Sequence, residues 1–371
     1  MNRVYELGEA KIISCEFHSP KSKTNFFRMN KHTITGAAGS SEIIIGNWQE
    51  HVNEKIKDAK VFIITDENVA GYYRDRFPAC PVYEVTPGET SKELLALSDI
   101  YCWLLDQGAD RSSFILAIGG GVVCDLAGFV ASTFMRGVRF GFVATTLLAQ
   151  VDASVGGKNG INLGGYKNIV GTFTQPEFVI CDADFLHTLP DTELRNGMSE
   201  IIKHALIRDE KKFRFLETHR NRVMARDNES IDYLVSRSVE IKAAIVQADE
   251  RELGERKLLN FGHTWGHAIE KVKRIPHGQA VSIGMVFEAN MSVRMGLLSK
   301  GEKDQIIKVL MDYGLPIFAE IDPEVIFEAM LKDKKKIGNS IHFVLLQGIG
   351  YGLVKEIGAD ELRMYAVSDC K

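Results

Sequence analysis

Three of the ten histidines fall between residues 263 and 277, in the run Asn260-Phe261-Gly262-His263-Thr264-Trp265-Gly266-His267 and then in His277-Gly278. His263 and His267 are spaced i, i+4, which sets two imidazoles on one face of a helix, within reach of a single ion or substrate. A lone buried histidine is ordinarily a satisfied core residue. Three imidazoles, with a neighbouring helical segment offering Glu200 and Lys203, fit a metal site with open positions better. The spacing is also that of zinc peptidases, but Thr264 stands where such an enzyme carries its glutamate base, so peptide hydrolysis is set aside.

A second pattern is the apolar run 114–118 followed by Gly119-Gly120-Gly121-Val122-Val123-Cys124-Asp125. Glycines at a strand end leave backbone N–H groups bare, and the positive end of the following helix adds to them, so a pyrophosphate can sit there. The bland alternative is a tight turn needing positive φ, with Asp125 as the helix N-cap. Asp66 and the turn from Glu89 to Lys92 follow earlier strands and can reach the same crevice. Cations form the third set: Arg136, Arg139, Lys158, Lys167 beside Asn168, Lys203, Lys242, Arg256, and Lys334, Lys335 and Lys336. Each alone reads as a solvated surface charge. Several adjoin glycines or lie on apolar helix faces, where an anionic substrate would need them. Nucleotide, metal and anion pocket together imply redox chemistry on a phosphorylated or carboxylated sugar.

The elements that must hold these residues divide near residue 190. Ahead of it, short β-rich runs at 42–45, 60–65, 81–85, 114–118, 140–144 and 177–181 alternate with helical patterns, which predicts a Rossmann-like α/β unit over 35–190. The connection from 145 to 176 is polar and glycine-rich and carries Asp152, Lys158, Lys167 and Asn168; it reads as a long functional loop. Beyond residue 190 come helical patterns at 191–208, 210–225, 231–248, 258–272 and 280–297, then 341–346 and 353–357 as a closing hairpin, so 191–371 is expected to be mostly helical. Residues 1–34 read as a flexible extension with at most one early strand.

Composition narrows the classes. The 371 residues carry a net charge of −4 and only one dense basic run, at 332–336, which argues against a nucleic-acid-coating protein. No apolar stretch approaches the ~18 residues that span a bilayer, and the first thirty residues show no secretory h-region. Six cysteines without a CxxC pair fit a reducing cytoplasm rather than a disulfide framework.

Taken together, Gly119 to Asp125, Met135-Arg136-Gly137-Val138-Arg139, the run Thr145 to Asp152, Val155-Gly156-Gly157-Lys158, Lys167-Asn168, Asp249-Glu250-Arg251-Glu252 and Asn260 to His267 resemble the 3-dehydroquinate synthase family of sugar phosphate cyclases, over about residues 42–357. The resemblance implies an NAD-binding N-terminal domain, a helical domain holding a divalent metal, zinc or cobalt, and an active site in the cleft between them. It makes Glu200, His263 and His277 the metal ligands. His267, which spacing alone would have chosen as a ligand, becomes an acid/base group beside the metal. NAD contacts fall on Asp66, Glu67, Asn68, Glu89, Lys92, Gly120, Gly121, Val122, Asp125, Thr145, Thr146, Lys167, Phe185, Thr188 and Asn196. Substrate contacts fall on Arg136, Asp152, Lys158, Asn168, Lys203, Lys242, Arg256, Asn260 and Lys335, with Asp152, Lys203, Glu252 and His267 as catalytic groups. Lys158, Asn168, Lys203, Arg136 and Lys335 are assigned to the phosphate, Lys242 and Arg256 to the carboxylate.

The reaction so implied turns 3-deoxy-D-arabino-heptulosonate 7-phosphate into 3-dehydroquinate and phosphate, by transient oxidation at C5 with NAD, phosphate elimination, re-reduction and aldol closure. The family is commonly homodimeric, with Arg136 serving a neighbouring subunit's site. Asn159, Gln279 and Cys124 depart from residues frequent in the family, none at a ligand position. Rival readings are a cyclase acting on a carboxylate-free sugar phosphate, a metal-dependent NAD polyol dehydrogenase, and a non-catalytic scaffold. The first would leave Lys242 and Arg256 as unpaired buried charges.

Overall fold

Uninterrupted apolar runs of four to six residues become strands buried on both faces, the usual result when helices cover a parallel sheet. The computed structural model describes residues 30–334 and 340–368. Its first hairpin is β1 (Asn30–Gly36) with β2 (Gly39–Ile45), followed by α1 (Trp48–Lys55), β3 (Val61–Asp66), α2 (Glu67–Tyr73), β4 (Val82–Val85), α3 (Leu94–Asp106), β5 (Phe114–Gly119), α4 (Gly121–Thr133) and β6 (Arg139–Ala144). A π-helical turn, Ala149–Ala153, leads to β7 (Lys158–Leu163), β8 (Tyr166–Phe173) and β9 (Phe178–Cys181).

Seven strands form one sheet in the order β1-β2-β9-β6-β5-β3-β4, parallel throughout except for the β1–β2 pair. The chain leaves β3 for β4 on one side and returns to β5 on the other, so the order reverses at the β3/β5 edge, where α/β sheets open a ligand crevice. Eight helices and a hairpin complete the second half: α5 (Asp191–Arg208), α6 (Glu210–Met224), α7 (Asn228–Ala248), α8 (His263–Lys273), α9 (His277–Arg294), α10 (Lys300–Asp312), α11 (Pro323–Lys334), β10 (Ser340–Leu346), β11 (Gly352–Gly358) and α12 (Ala359–Ser368). Apolar clusters fill both faces of the sheet and the space between α8, α9 and β10.

Three sequence expectations need correction. Among the described residues the sheet begins with β1 at Asn30, so residues 30–34 are the early strand allowed for and the sheet unit reaches ahead of residue 35; β1 also meets α7, where Gln247 Nε2 donates to the Thr33 carbonyl at 3.0 Å. The long connection is no open loop, since β7 and β8 pair as an antiparallel hairpin. The helix expected at 258–272 is broken: residues 255–260 make a tighter 3₁₀ turn, and α8 starts only after Gly262 at φ +78°. A side chain at Gly262 would both strain that backbone and meet Met285 and the Val281 carbonyl at 2.6 Å. The neighbouring α9 crosses equally close, for a Cβ at Gly284 would lie 1.9 Å from the Gly262 oxygen.

Candidate active site

Five of the loops expected to touch a dinucleotide leave the carboxyl end of a parallel strand, while Lys167 comes from β8 of the antiparallel hairpin. Asp66 ends β3, Glu89 and Lys92 follow β4, Gly120 and Gly121 follow β5, Thr145 and Thr146 follow β6, and Phe185 and Thr188 follow β9. At the centre, α4 begins at Gly121 with no side chain capping its first turn, which leaves N–H groups for a pyrophosphate. None of the three glycines needs a positive φ; close packing requires them instead. A Cβ on Gly119 would meet Val123 at 2.5 Å and one on Gly120 would meet Thr146 at 2.9 Å. Asp125 is not the N-cap. It lies within α4 and pairs with buried Lys92, while burial, opposed by that lysine, lifts its carboxyl to about 6.

Some of these residues also have purely structural work. Asp66 caps α2, accepting from the Val69 N–H at 3.0 Å. The Thr188 and Tyr73 hydroxyls are 2.7 Å apart, and the Phe185 ring is buried between Trp48 and Tyr73. Glu67, Asn68 and Val122 lie in the first turns of α2 and α4, beside the same crevice.

Gly197 lets α5 press against the segment after β6, since a Cβ there would come within 2.6 Å of Leu147. That contact brings two residues one helical turn apart, Asn196 and Glu200, to the crevice. The buried Asn196 Oδ1 has no hydrogen-bond partner, an orphan suited to a bound amide or hydroxyl. Glu200 is fully buried; it pairs with Lys203 and faces Nε2 of His263 at 3.5 Å and Nε2 of His277 at 3.4 Å. Two imidazole nitrogens and one carboxylate, within 4.8 Å of one another, make a candidate three-ligand set, the number that in catalytic sites leaves a coordination position open.

Outer partners fix the orientation of both rings. His263 Nδ1 is 3.1 Å from the Phe261 carbonyl, and His277 Nδ1 is 3.1 Å from Glu270 Oε2, so each Nε2 is turned toward Glu200. Burial, reinforced by Lys203, pushes His263 well below its ordinary range and keeps it neutral. Burial also disfavours the charged form of His277, but Glu200 and Glu270 outweigh it and raise the ring to about 9. A divalent cation would take the place of that proton. His267, one turn beyond His263, is exposed, with ring centroids 5.2 Å apart.

The anion-binding candidates line the adjoining wall. Lys242 of α7 donates to the Asp152 carbonyl at 2.6 Å and pairs with its carboxylate, which stands on the π-helical turn. Burial works against that charge, yet Lys242 and Lys203 hold the Asp152 carboxyl well below the usual range. Arg256 is buried, donating to the Glu250 carbonyl and, at 3.4 Å, to that of Gly156. Glu252, at φ +62°, joins Lys158 of β7 to Asn260, each at 2.5 Å. Burial raises the cost of its charge, but both partners favour it, and its carboxyl stays below the ordinary value.

The N-terminal model of 3-dehydroquinate synthase matches residues 82–196 and the C-terminal model matches residues 197–336. A 3-dehydroquinate synthase of Clostridium beijerinckii is 40% identical over 329 residues, covering 85% of this chain and 93% of the relative. The chain belongs to the 3-dehydroquinate synthase family. The Halorhodospira halophila enzyme of that family is 44% identical over 303 residues, 80% of this chain and 86% of its own. Among solved structures, a 2-deoxy-scyllo-inosose synthase with carbaglucose-6-phosphate, NAD+ and Co2+ superposes at TM-score 0.81 with 25% identity, covering 91% of this chain and 100% of its own. A 2-epi-5-epi-valiolone synthase from Streptomyces hygroscopicus with NAD+ and Zn2+ gives 0.80 and 25%, covering 89% and 97%.

Against that family pattern, two residues expected at the substrate stand apart. Arg136 is exposed at φ +73° and makes no hydrogen bond or ion pair among the described residues. Lys335 lies outside the described residues. Asn168, at φ +52° on β8, is held through its N–H to Asn162 at 2.9 Å.

Sequence reasoning missed Glu270, which accepts from His277 and from Lys167, the latter at 2.6 Å, and so joins a candidate metal ligand to a residue expected at NAD. Its spacing three residues after His267 was the available signal. Glu270→Gln is expected to weaken metal binding about ten- to a hundredfold, as read by chelator competition, with the fold intact by circular dichroism. Unchanged affinity would remove Glu270 from the metal's support.

Proposed function

We propose that the chain converts 3-deoxy-D-arabino-heptulosonate 7-phosphate into 3-dehydroquinate and inorganic phosphate, with NAD at the sheet edge and zinc or cobalt between Glu200, His263 and His277. The active site would lie where the 30–190 sheet unit meets the helices that follow. The observation that carries this reading is the pair of buried cations, Lys242 and Arg256, beside a metal-ligand set. A substrate carboxylate would draw on both charges; without one, Lys242 keeps its pair with Asp152, which corrects the expectation that it would stand unpaired, and Arg256 keeps hydrogen bonds to the Glu250 and Gly156 carbonyls but to no carboxylate. When bound, NAD supplies a hydride acceptor that later returns the hydride, and the metal acidifies a coordinated hydroxyl.

The chain's own groups do the rest. Lys158, Asn168 and Lys203 are assigned to the phosphate, with Arg136 and Lys335. Lys203 also holds the charge of Glu200. Glu252, kept ionised by Lys158 and Asn260, is placed to accept a proton, and His267 stands beside the metal ligands as an acid/base group. Asp152 orients Lys242.

We propose a homodimer that covers exposed apolar residues of the β7–β8 hairpin, Leu163, Tyr166, Ile169 and Phe173 among them, with Arg136 serving a partner's site. No described helix is long and apolar enough to cross a membrane. The free state of Cys80, Cys102, Cys124 and Cys181 fits the proposed cytoplasmic setting.

The test follows phosphate release and absorbance together, using the metal-loaded protein, NAD and the heptulosonate phosphate. Phosphate without accumulating NADH is expected, because the redox steps cancel. NADH without phosphate would instead make the protein a polyol dehydrogenase. Turnover only with a carboxylate-free sugar phosphate would overturn the substrate assignment.

A further inference from the structure

Asp249, Glu250 and Glu252 stand almost side by side in the loop leaving α7, yet their carboxylates serve three directions. Asp249 closes its own loop, accepting from the backbone N–H groups of Leu253, Gly254 and Arg256 at 2.9, 2.6 and 3.1 Å. Glu252 turns to Lys158 and Asn260. Glu250 leaves the loop altogether. Its Oε2 accepts from the Ala37 N–H at 2.8 Å and its Oε1 from the Ala38 N–H at 3.0 Å, both in the turn between β1 and β2.

That contact is one link in a ring. The Ala38 carbonyl accepts from the Gln175 N–H at 3.1 Å, and the Gln175 side chain lies so close to Gly157 that a Cβ there would meet it at 2.9 Å. The carbonyl of Gly156, the preceding residue, accepts from Arg256, whose other nitrogen returns to the Glu250 carbonyl. The ring thus ties Lys158, next to Gly157, to the loop that carries Glu252 and Arg256, two separate stretches of chain. Two consecutive N–H groups on one carboxylate form a charge-assisted fork, which fixes direction as well as distance.

We propose that Glu250 is a positioning residue for substrate recognition: by clamping the β1–β2 turn it sets the loop bearing Glu252 and Arg256 at its working height over Lys158. It touches no substrate itself. This inference rests on the proposed substrate, and the structure supplies its own probe. A Cβ on Gly36 would lie 2.5 Å from Glu250 Oε1, and Gly36 has no left-handed φ, so Gly36→Ala leaves the backbone unstrained while its methyl group pushes the carboxylate aside.

The experiment measures kcat and KM for the sugar phosphate in the full-length, metal-loaded protein, with metal content, NAD affinity and melting temperature for each variant. Glu250→Ala is expected to lower kcat/KM roughly ten- to a hundredfold, chiefly through KM, with metal content and NAD affinity unchanged. Gly36→Ala should do the same, and the double variant should be no worse than either single one, because the methyl group then has no carboxylate to displace. Glu250→Gln, which keeps one acceptor oxygen, should fall between Glu250→Ala and the unaltered protein. Unchanged kcat/KM in Glu250→Ala, additive losses in the double variant, or a joint collapse of metal content, NAD affinity and melting temperature would each overturn the proposal. Failure of the unaltered protein to release phosphate would refute the substrate reading itself.

Discussion

His263→Ala is expected to strip the protein of metal and turnover together while leaving its melting temperature nearly unchanged. The imidazole is one of the three proposed ligands, and its Nδ1 is engaged with the Phe261 carbonyl, so the Nε2 lone pair is already aimed at the site. Losing a ligand should weaken binding beyond the ten- to a hundredfold typical of losing an outer-shell partner. The fold should survive because His263 is neutral, its pKa driven down first by burial and then by Lys203. Removing it strands no charge, and Glu200 keeps Lys203 and His277. Glu200→Ala is the contrast. It would leave Lys203 buried without its carboxylate, a change that costs several kcal/mol, so lost activity there would mix folding with chemistry. Metal analysis, circular dichroism melts and phosphate release on the purified variant check the prediction. Retained metal with lost turnover would move the ion to the alternative set of His267, Glu270 and His277, whose donor atoms also lie within 4.8 Å of one another.

What the sequence made legible was the part written in local patterns. The apolar strands β3, β5, β6 and β9 and the amphipathic helices beyond residue 190 follow from periodicity and composition. The β7–β8 hairpin did not, because β8 is exposed at most positions and its polar, glycine-bearing sequence resembles a loop; only pairing with β7 defines it. β1 was obscured in the same way, since its partners, β2 and α7, are not visible in its own residues. The break ahead of α8 comes from Gly262 meeting α9, a contact between helices that no local periodicity records.

The site divides along the same line. Spacing along a helix favours His263 with His267, but α8 ends at Lys273 and α9 opens at His277, so the chain turns back and presents His277 to the Glu200 that His263 already faces. Only the family resemblance gave that choice. Lys92 was read as a cofactor contact, and the structure adds that it neutralises Asp125 beneath the nucleotide turn. Glu250 and Glu270 were illegible as functional residues because an acid on a helix or loop is ordinarily solvated, and what sets these two apart is a partner reached through the fold.

Lys242→Met is expected to cost about thirty- to a thousandfold in kcat/KM, the equivalent of roughly 2–4 kcal/mol for one partner of a buried ion pair. Two losses contribute. The substrate carboxylate forfeits a cation, and Asp152 forfeits both the hydrogen-bond donor to its carbonyl and the counter-charge on its carboxylate. Stability should fall too, by less than the ~3–5 kcal/mol of a wholly stranded buried charge, because Lys203 remains nearby and Asp152 can take up a proton. The sign with pH follows from the depressed Asp152 carboxyl. Its contribution is present above the ordinary carboxylate range and lost as pH falls through the lowered folded value. The variant should therefore lag the unaltered protein most at neutral pH and approach it in acid, where Asp152 is protonated in both. Lys242→Arg should not restore activity, since a planar guanidinium cannot repeat the compact contact with one carbonyl and one carboxylate. The decisive comparison uses a substrate analogue without the carboxylate: if Lys242→Met loses as much kcat/KM on it as on the natural substrate, Lys242 serves Asp152 alone and the carboxylate assignment fails.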